Sequence, residues 1–242
     1  MGSEYENYGK RAEGDSDPTR AVGRYYCQRL AERLIVQDVV EKLQIKPTDR
    51  LLEIGCGVGT LLIPLAFLVE DIWGVDHPAM LERLTKRCSF ENGRLIAGDF
   101  LELDKSCFDG RSFEKILIYS VLHCLPDEES YFRFMENAIN LLAPGGRILF
   151  GDLPNIDRKR RFSESESGKR FENEWNSLRA LEPEGPDVPV EYSEGSVIVN
   201  DSLILSTLEF LRSRGLDAYI EPQDSALPFG NTREDIWASK QR

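Results

Sequence analysis

The sequence predicts an α/β protein built on a doubly wound, mostly parallel sheet of seven strands, with a helix before the first strand and an insertion before the last two. Three observations carry this. Leu51-Leu52-Glu53-Ile54 reads as a buried strand that runs into Gly55-Cys56-Gly57-Val58-Gly59 and then into an apolar helical pattern. Five such strand–helix units follow one another between Leu51 and Asp152. Glu53, Asp76, Asp99, Ser120 and Asp152 fall at or near the carboxyl ends of those strands, where open α/β sheets bind ligands.

The chain has 242 residues, which suits one domain with an added lid. Residues 1–18 are read as a flexible tail that orders over a bound ligand, and residues 19–242 as the domain. From Thr19 to Leu43, apolar and aromatic residues recur at helical intervals. Tyr25 and Tyr26 in this helix either pack under the helix or face a bound ligand. Pro47 ends the segment, and the first strand follows at Leu51.

Glycine at 55, 57 and 59 permits positive φ and a close approach of ligand to main chain. A helix is expected from about Val58 to Glu70, its N-terminus offering free N–H groups and the positive end of a dipole. The dinucleotide fingerprint would be GxGxxG with a pyrophosphate at that helix. Here the spacing is GxGxG, and Glu53 precedes it. A carboxylate there repels a pyrophosphate and suits an ammonium group.

The second strand, Ile72 to Val75, ends at Asp76, about twenty residues past the first glycine, where an acid can accept from both ribose hydroxyls. Asp76 also suits the cap of the next helix, which starts at Pro78. His77 either covers the nucleoside edge or is a surface residue. A third strand, Arg94 to Ala97, leads to Gly98-Asp99-Phe100, and a fourth runs from Phe113 to Ser120. A helix from Asp127 to Leu142 and the turn at Ala143-Pro144-Gly145-Gly146 precede the fifth strand, Ile148 to Gly151.

The pattern Glu53-x-Gly55-x-Gly57-x-Gly59 resembles motif I of the class I S-adenosylmethionine (SAM) methyltransferases. The resemblance covers most of residues 20–152 and implies a Rossmann-like methyltransferase fold with SAM as cofactor. It implies that Glu53 holds the methionine amino group while Gly55 and Gly57 make room for methionine and ribose. It further implies that Asp99 accepts from the adenine amine and that Phe100 flanks the ring. Ser120-Val121-Leu122-His123-Cys124 resembles the cleft-lining run of small-molecule members, with Tyr119 and Ser120 at the cofactor. An Asn-Pro-Pro-Tyr run, which would suggest amide or base nitrogens, is absent. If the acceptor is a hydroxyl, His123 is the first candidate for the base and Asp152 the second. His123 also suits packing beside the cofactor.

Residues from about 155 to 196 form the expected lid. It opens on Asp157-Arg158-Lys159-Arg160-Arg161, which either receives a phosphate or carboxylate or is a solvated face. Pro183 to Pro189 reads as a mobile loop. A helix capped by Asp201 or Ser202 and strands at Asp217–Glu221 and Glu234–Ser239 complete the sheet. The Gly151–Asn155 stretch and the Leu227–Asp235 run are similar to bacterial methyltransferases of surface-polysaccharide pathways.

A net charge of -12 argues against nucleic acid as the main partner. Five cysteines without a C-x-x-C pair argue against a zinc ribbon or a disulfide framework and fit a reducing cytoplasm. No ligand cluster points to a metal, and no apolar run reaches membrane-spanning length. The expectation is methyl transfer from SAM to a small molecule, such as a sugar-linked or phosphorylated hydroxyl. An NAD(P)-dependent oxidoreductase, an enzyme acting on protein or RNA, and a non-catalytic SAM-binding subunit are the alternatives. The oligomeric state is not read from the sequence.

Overall fold

The computed structural model describes residues 4–14, 17–182 and 196–242. Seven strands form one sheet in the order β3-β2-β1-β4-β5-β7-β6. They are β1 (Arg50–Ile54), β2 (Asp71–Asp76), β3 (Gly93–Ala97), β4 (Phe113–Tyr119), β5 (Leu142–Pro154), β6 (Leu216–Pro222) and β7 (Arg233–Lys240). Strands β1 to β5 are parallel, and β7 runs antiparallel to both β5 and β6.

The helices are α1 (Glu4–Gly14), α2 (Pro18–Ala21), α3 (Arg29–Leu43), α4 (Leu62–Ala66), α5 (Pro78–Arg87), α6 (Glu128–Asn140), α7 (Ile156–Glu164), α8 (Glu166–Arg179) and α9 (Asp201–Ser213). Two cores lie on the two faces of the sheet. Leu52, Ile54, Ile116, Ile118, Ile148 and Phe150 point to the face covered by α6 and α9. Leu51, Leu117 and Leu149 point to the face covered by α3, α4 and α5. Side chains alternate along a strand, so the short apolar runs of the sequence supply both cores at once. Glu53 shares the parity of Leu51, opposite Gly74 and Leu117.

Several local expectations need correction. Residues 4–14, read as a flexible tail, form helix α1, because Ala12 and Tyr8 pack with Ala21, Val58 and Met80. The expected helix from Thr19 to Leu43 is broken at Gly23, whose φ is +81°, and restarts at Arg29. The helix after the glycine turn is five residues long rather than about twelve. The Asn92 amide stops it by donating to Ala66 O and Val69 O at 2.9 and 3.1 Å. So short a helix contributes little dipole, and that part of the sequence argument fails. Asn200, not Asp201 or Ser202, caps α9 by accepting from Leu203 N at 2.9 Å. In the segment expected as a lid, about 155–196, residues 156–164 and 166–179 form the helices α7 and α8, and the proline-rich loop lies outside the described residues. Among the described residues no helix is long and apolar enough to cross a membrane.

Candidate functional site

A cavity of about 790 Å³ opens at the carboxyl ends of β1 to β4. Glu53, Gly55, Gly57, Asp76, Asp99, Phe100, Tyr119 and Ser120 all line it. These sequence candidates come from four different strand ends, and the parallel register brings them together.

Glu53 is 2% exposed, and its Oε2 has no hydrogen-bond partner among the described residues. Burial, then the nearby Asp76, pushes its carboxyl up to about 8, with Arg24 pulling the other way. Taking a carboxylate from water without a partner is costly, so the proton is retained unless a cation arrives. Asp76 is pushed up to about 6 by burial, against two backbone donors. Gly57 N–H and His77 N–H each donate to it at 2.6 Å. Each oxygen retains a second lone pair for a hydroxyl.

Gly55 and Gly57 have the positive φ expected of them and line the cavity. A Cβ on Gly55 would come within 2.3 Å of the Val121 side chain, and one on Gly57 within 2.9 Å of Val22. Both have positive φ, +82° and +54°. They let the turn fold tightly under the residues that wall the cavity. Phe100 packs on Phe134 with ring centroids 4.8 Å apart. Asp99 turns one oxygen to Leu101 N–H at 3.0 Å.

The sequence reading missed three residues on this wall. Tyr5 and Tyr8 reach it from α1. Burial first, then Asp76 and Asp99, pushes the Tyr5 phenol up to about 12, which puts its hydroxyl in the field of both acids. Tyrosines three residues apart in a polar segment were the available signal. Arg24 is 7% exposed and donates to Glu32 Oε1 at 3.2 Å. Burial opposes its charge, but Asp152 and Glu32 more than offset this. It follows the break at Gly23, so no periodicity marked it.

Four candidates lie outside the cavity wall. His77 caps α5, its Nδ1 accepting from Ala79 N–H at 3.2 Å, so Asp76 is not the cap. Tyr5 packs against the His77 ring at a tilt of 60°, with centroids 4.8 Å apart, and itself lines the cavity. Tyr25 points to the lid, against Trp175 and Phe229 at 5.3 and 6.2 Å. His123 sits in the 3-10 turn Leu122–Cys124, where burial and then Arg233 and Arg24 push its imidazole down to about 3. Asp152 is not at a strand end but in a bulge within β5, with φ +60°. Its N–H donates to Asp235 Oδ1 at 2.8 Å, and its carboxylate faces Arg233.

The three arginines of the 157–161 run are engaged within the protein. Arg158 donates to Asn231 O at 3.2 Å and lies 3.6 Å from Glu234. Arg160 pairs with Asp157, and Arg161 with Asp201, at 3.0 and 2.5 Å. Glu182, after α8, accepts from Tyr26 N–H and Cys27 N–H at 3.0 and 2.7 Å, which ties the lid to the segment before α3. Among the described residues no group of three histidines, cysteines or acids is placed to hold a metal.

Comparison with known proteins extends this geometry. The methyltransferase domain family matches residues 45–181, more than half the chain. A 124-residue stretch is 32% identical to the probable non-canonical nonribosomal peptide synthetase CymA of Salinispora arenicola, covering 48% of this chain and 2% of that protein. A 104-residue stretch is 36% identical to ribosomal RNA small subunit methyltransferase A of Desulforapulum autotrophicum, covering 41% of this chain and 36% of that one. The chain thus spans only a small part of one relative and about a third of the other. Among solved structures, the N-methyltransferase NodS of Bradyrhizobium japonicum with S-adenosylhomocysteine superposes over 100% of both chains, with a TM-score of 0.63 and 18% identity. The DhpI–SAM–HEP complex covers 97% of this chain and 95% of its own, with a TM-score of 0.62 and 16% identity. At such identities the likeness is one of fold. With the family match over the central sheet, the chain belongs to the methyltransferase domain family and carries the Rossmann-like fold of class I SAM-dependent methyltransferases.

Proposed function

We propose that the protein transfers the methyl group of SAM to a small-molecule acceptor. The observation that carries this reading is Glu53, a buried carboxylate without a partner on Oε2, in the same cavity as the Arg24 guanidinium. An acid and a guanidinium side by side suit an amino-acid zwitterion, with ammonium on Glu53 and carboxylate on Arg24. Asp76 would take the ribose hydroxyls, and Asp99 and Phe100 the adenine, with Tyr5 covering them. SAM supplies an electrophilic methyl group. The chain's part is then to hold donor and acceptor in line and to exclude water.

A small acceptor is favoured by the tied-down lid and by the pairing of Arg158, Arg160 and Arg161 with acids, which leaves them poor phosphate receptors. The same pairing removes the support for a phosphorylated acceptor. An RNA acceptor is the second reading, favoured by the ribosomal RNA methyltransferase among the relatives. The net charge of -12 weighs against it, because phosphate binding is favoured by positive charge. His123 is ill suited as a base, since an imidazole at about 3 has little affinity for a proton near neutrality. Asp152 is the better candidate for orienting an acceptor.

Incubation with methyl-labelled SAM and fractionated cell extract tests the reading. Label is expected in the small-molecule fraction. Label confined to the RNA or protein fraction would overturn the acceptor class, and failure to bind SAM would overturn the whole reading.

A further inference from the structure

Next to Tyr119, whose hydroxyl accepts from the Gln223 amide at 3.1 Å, lies a second polar cluster outside the cavity wall. It is made where the Gly151–Asn155 stretch meets the Leu227–Asp235 run across the β5–β7 bulge. Arg233, Asp152 and Gln223 are 8%, 3% and 4% exposed. Four of their polar atoms lack a hydrogen-bond partner among the described residues: Arg233 Nε and Nη1, Asp152 Oδ1 and Gln223 Oε1. Arg233 Nε stands 3.5 Å from Asp152 Oδ1, too far for a good bond. A purely structural pair looks different in this protein. Arg50, far more exposed, closes a fork on Glu114 at 3.0 and 2.6 Å.

The backbone around the cluster is held in an uncommon conformation. Ser120, Asp152 and Phe229 all have φ near +60° without being glycine, and such strain gathers at functional sites. Asp235 fixes two of the parts, accepting from Asp152 N–H at 2.8 Å and from the Gln223 amide at 2.9 Å. Three rings stand beside the cluster. Trp175 of the lid contacts Tyr25 at 5.3 Å and Phe229 at 6.0 Å, and the Arg233 guanidinium lies 5.0 Å from the Phe229 ring centre.

We propose that Arg233, Asp152 and Gln223, beneath Tyr25, Trp175 and Phe229, form the acceptor subsite for a small aromatic acid carrying an amine or hydroxyl beside its carboxylate. The unused Arg233 donors take the carboxylate. Asp152 Oδ1 and Gln223 Oε1 accept from the neighbouring N–H or O–H. The three rings take the flat body of the ligand. This inference rests on the methyl-donor reading of the adjoining cavity.

The test uses the full chain saturated with S-adenosylhomocysteine and four probes: salicylate, anthranilate and their neutral amides. Calorimetry should show the acids binding at least about tenfold tighter than the amides. Trp175 should report the same event by fluorescence, and Trp175→Phe should remove that part of the signal. Arg233→Gln should abolish the preference for acids and leave S-adenosylhomocysteine affinity within about twofold, as Arg233 is outside the donor cavity. Should that variant fail to fold, Arg233→Lys, which keeps the charge and loses the fork, must cost the acids about tenfold. Equal binding of acids and amides, a preference that survives loss of the Arg233 fork, or no binding of either acid would overturn the proposal. Failure to bind S-adenosylhomocysteine would instead overturn the donor reading. A bound salicylate with no anthranilate, or the reverse, tells which protic group the subsite takes, and either supports it.

Discussion

The two ends of the cleft are built by different means. The donor wall comes from consecutive strand ends, with Glu53, Asp76 and Asp99 each placed by its own short strand–turn unit. The lid side comes from pieces far apart in the chain, Tyr25, Asp152, Trp175, Gln223 and Phe229 to Asp235, that meet only through the antiparallel β7 and the α7–α8 pair. The cavity wall leaves one acid oxygen, Glu53 Oε2, without a partner among the described residues, while Asp76 and Asp99 accept from backbone N–H groups. The lid side balances acids against arginines but leaves polar atoms unfilled. The lesson is that the cavity wall is set by local strand–turn motifs, whereas the β5–β7 side is set by long-range assembly.

The sharpest way to break this contrast is Glu53→Gln. It should weaken SAM binding by about 100-fold, roughly the loss of one charge-assisted contact in a dry site, measured by calorimetry. The same change should raise the thermal midpoint of the ligand-free protein, since a carboxyl pushed up to about 8 opposes folding at higher pH. A lowered midpoint would mean that Glu53 is a structural acid and that the donor wall is not charged in wait.

The next effect is on pH dependence. Glu53 and Asp76 have folded values of about 8 and 6, above their ordinary ones. The native state therefore holds more protons than the unfolded state between those limits. Stability of the ligand-free protein should fall as pH rises from about 5 to 8, by an amount on the order of a few kcal/mol. Bound SAM should flatten that slope, because its ammonium favours the ionised acids. Urea titrations across this range, with and without SAM, measure both slopes, and a flat profile without ligand would contradict the assignment.

A smaller effect is expected at His123. Its folded value of about 3 lies below the ordinary one, so it adds stability above about pH 6.5 that is lost as pH falls through 6.5 toward 3. His123→Gln should leave SAM affinity within about twofold, and no acidic limb of the methyl-transfer rate near pH 6.5 should depend on it. A limb that vanishes in the variant would return His123 to the role of base.

The smallest effect is expected on the lid surface. Arg160→Ala removes an exposed pair with Asp157 and should cost less than about 1 kcal/mol, without weakening acceptor binding. Loss of acceptor binding would mean that the basic run does receive substrate.

Much of the donor wall was legible because its signals are local. An acid two residues before a glycine turn, and another one strand later, can be counted along the chain, and the parallel register does the rest. His77 and Tyr25 show the limit. Both lie within reach of the cleft in sequence, but His77 is taken up as a helix cap and Tyr25 turns toward Trp175. The charged run at 157–161 shows another limit, since charge in a sequence does not reveal the acids that will face it, here Glu234 and Asp201.

The sequence by itself determined the sheet, its mostly parallel sense and the acids at its tips, because periodicity and turn chemistry act over a few residues. Only the tertiary structure decided that α1 brings Tyr5 to the cavity, that Arg24 lines the same cavity as Glu53, and that Asp152 faces Arg233. Those contacts join residues far apart in the chain, and they follow from which helix covers which strand end, a choice made by packing rather than by any local pattern.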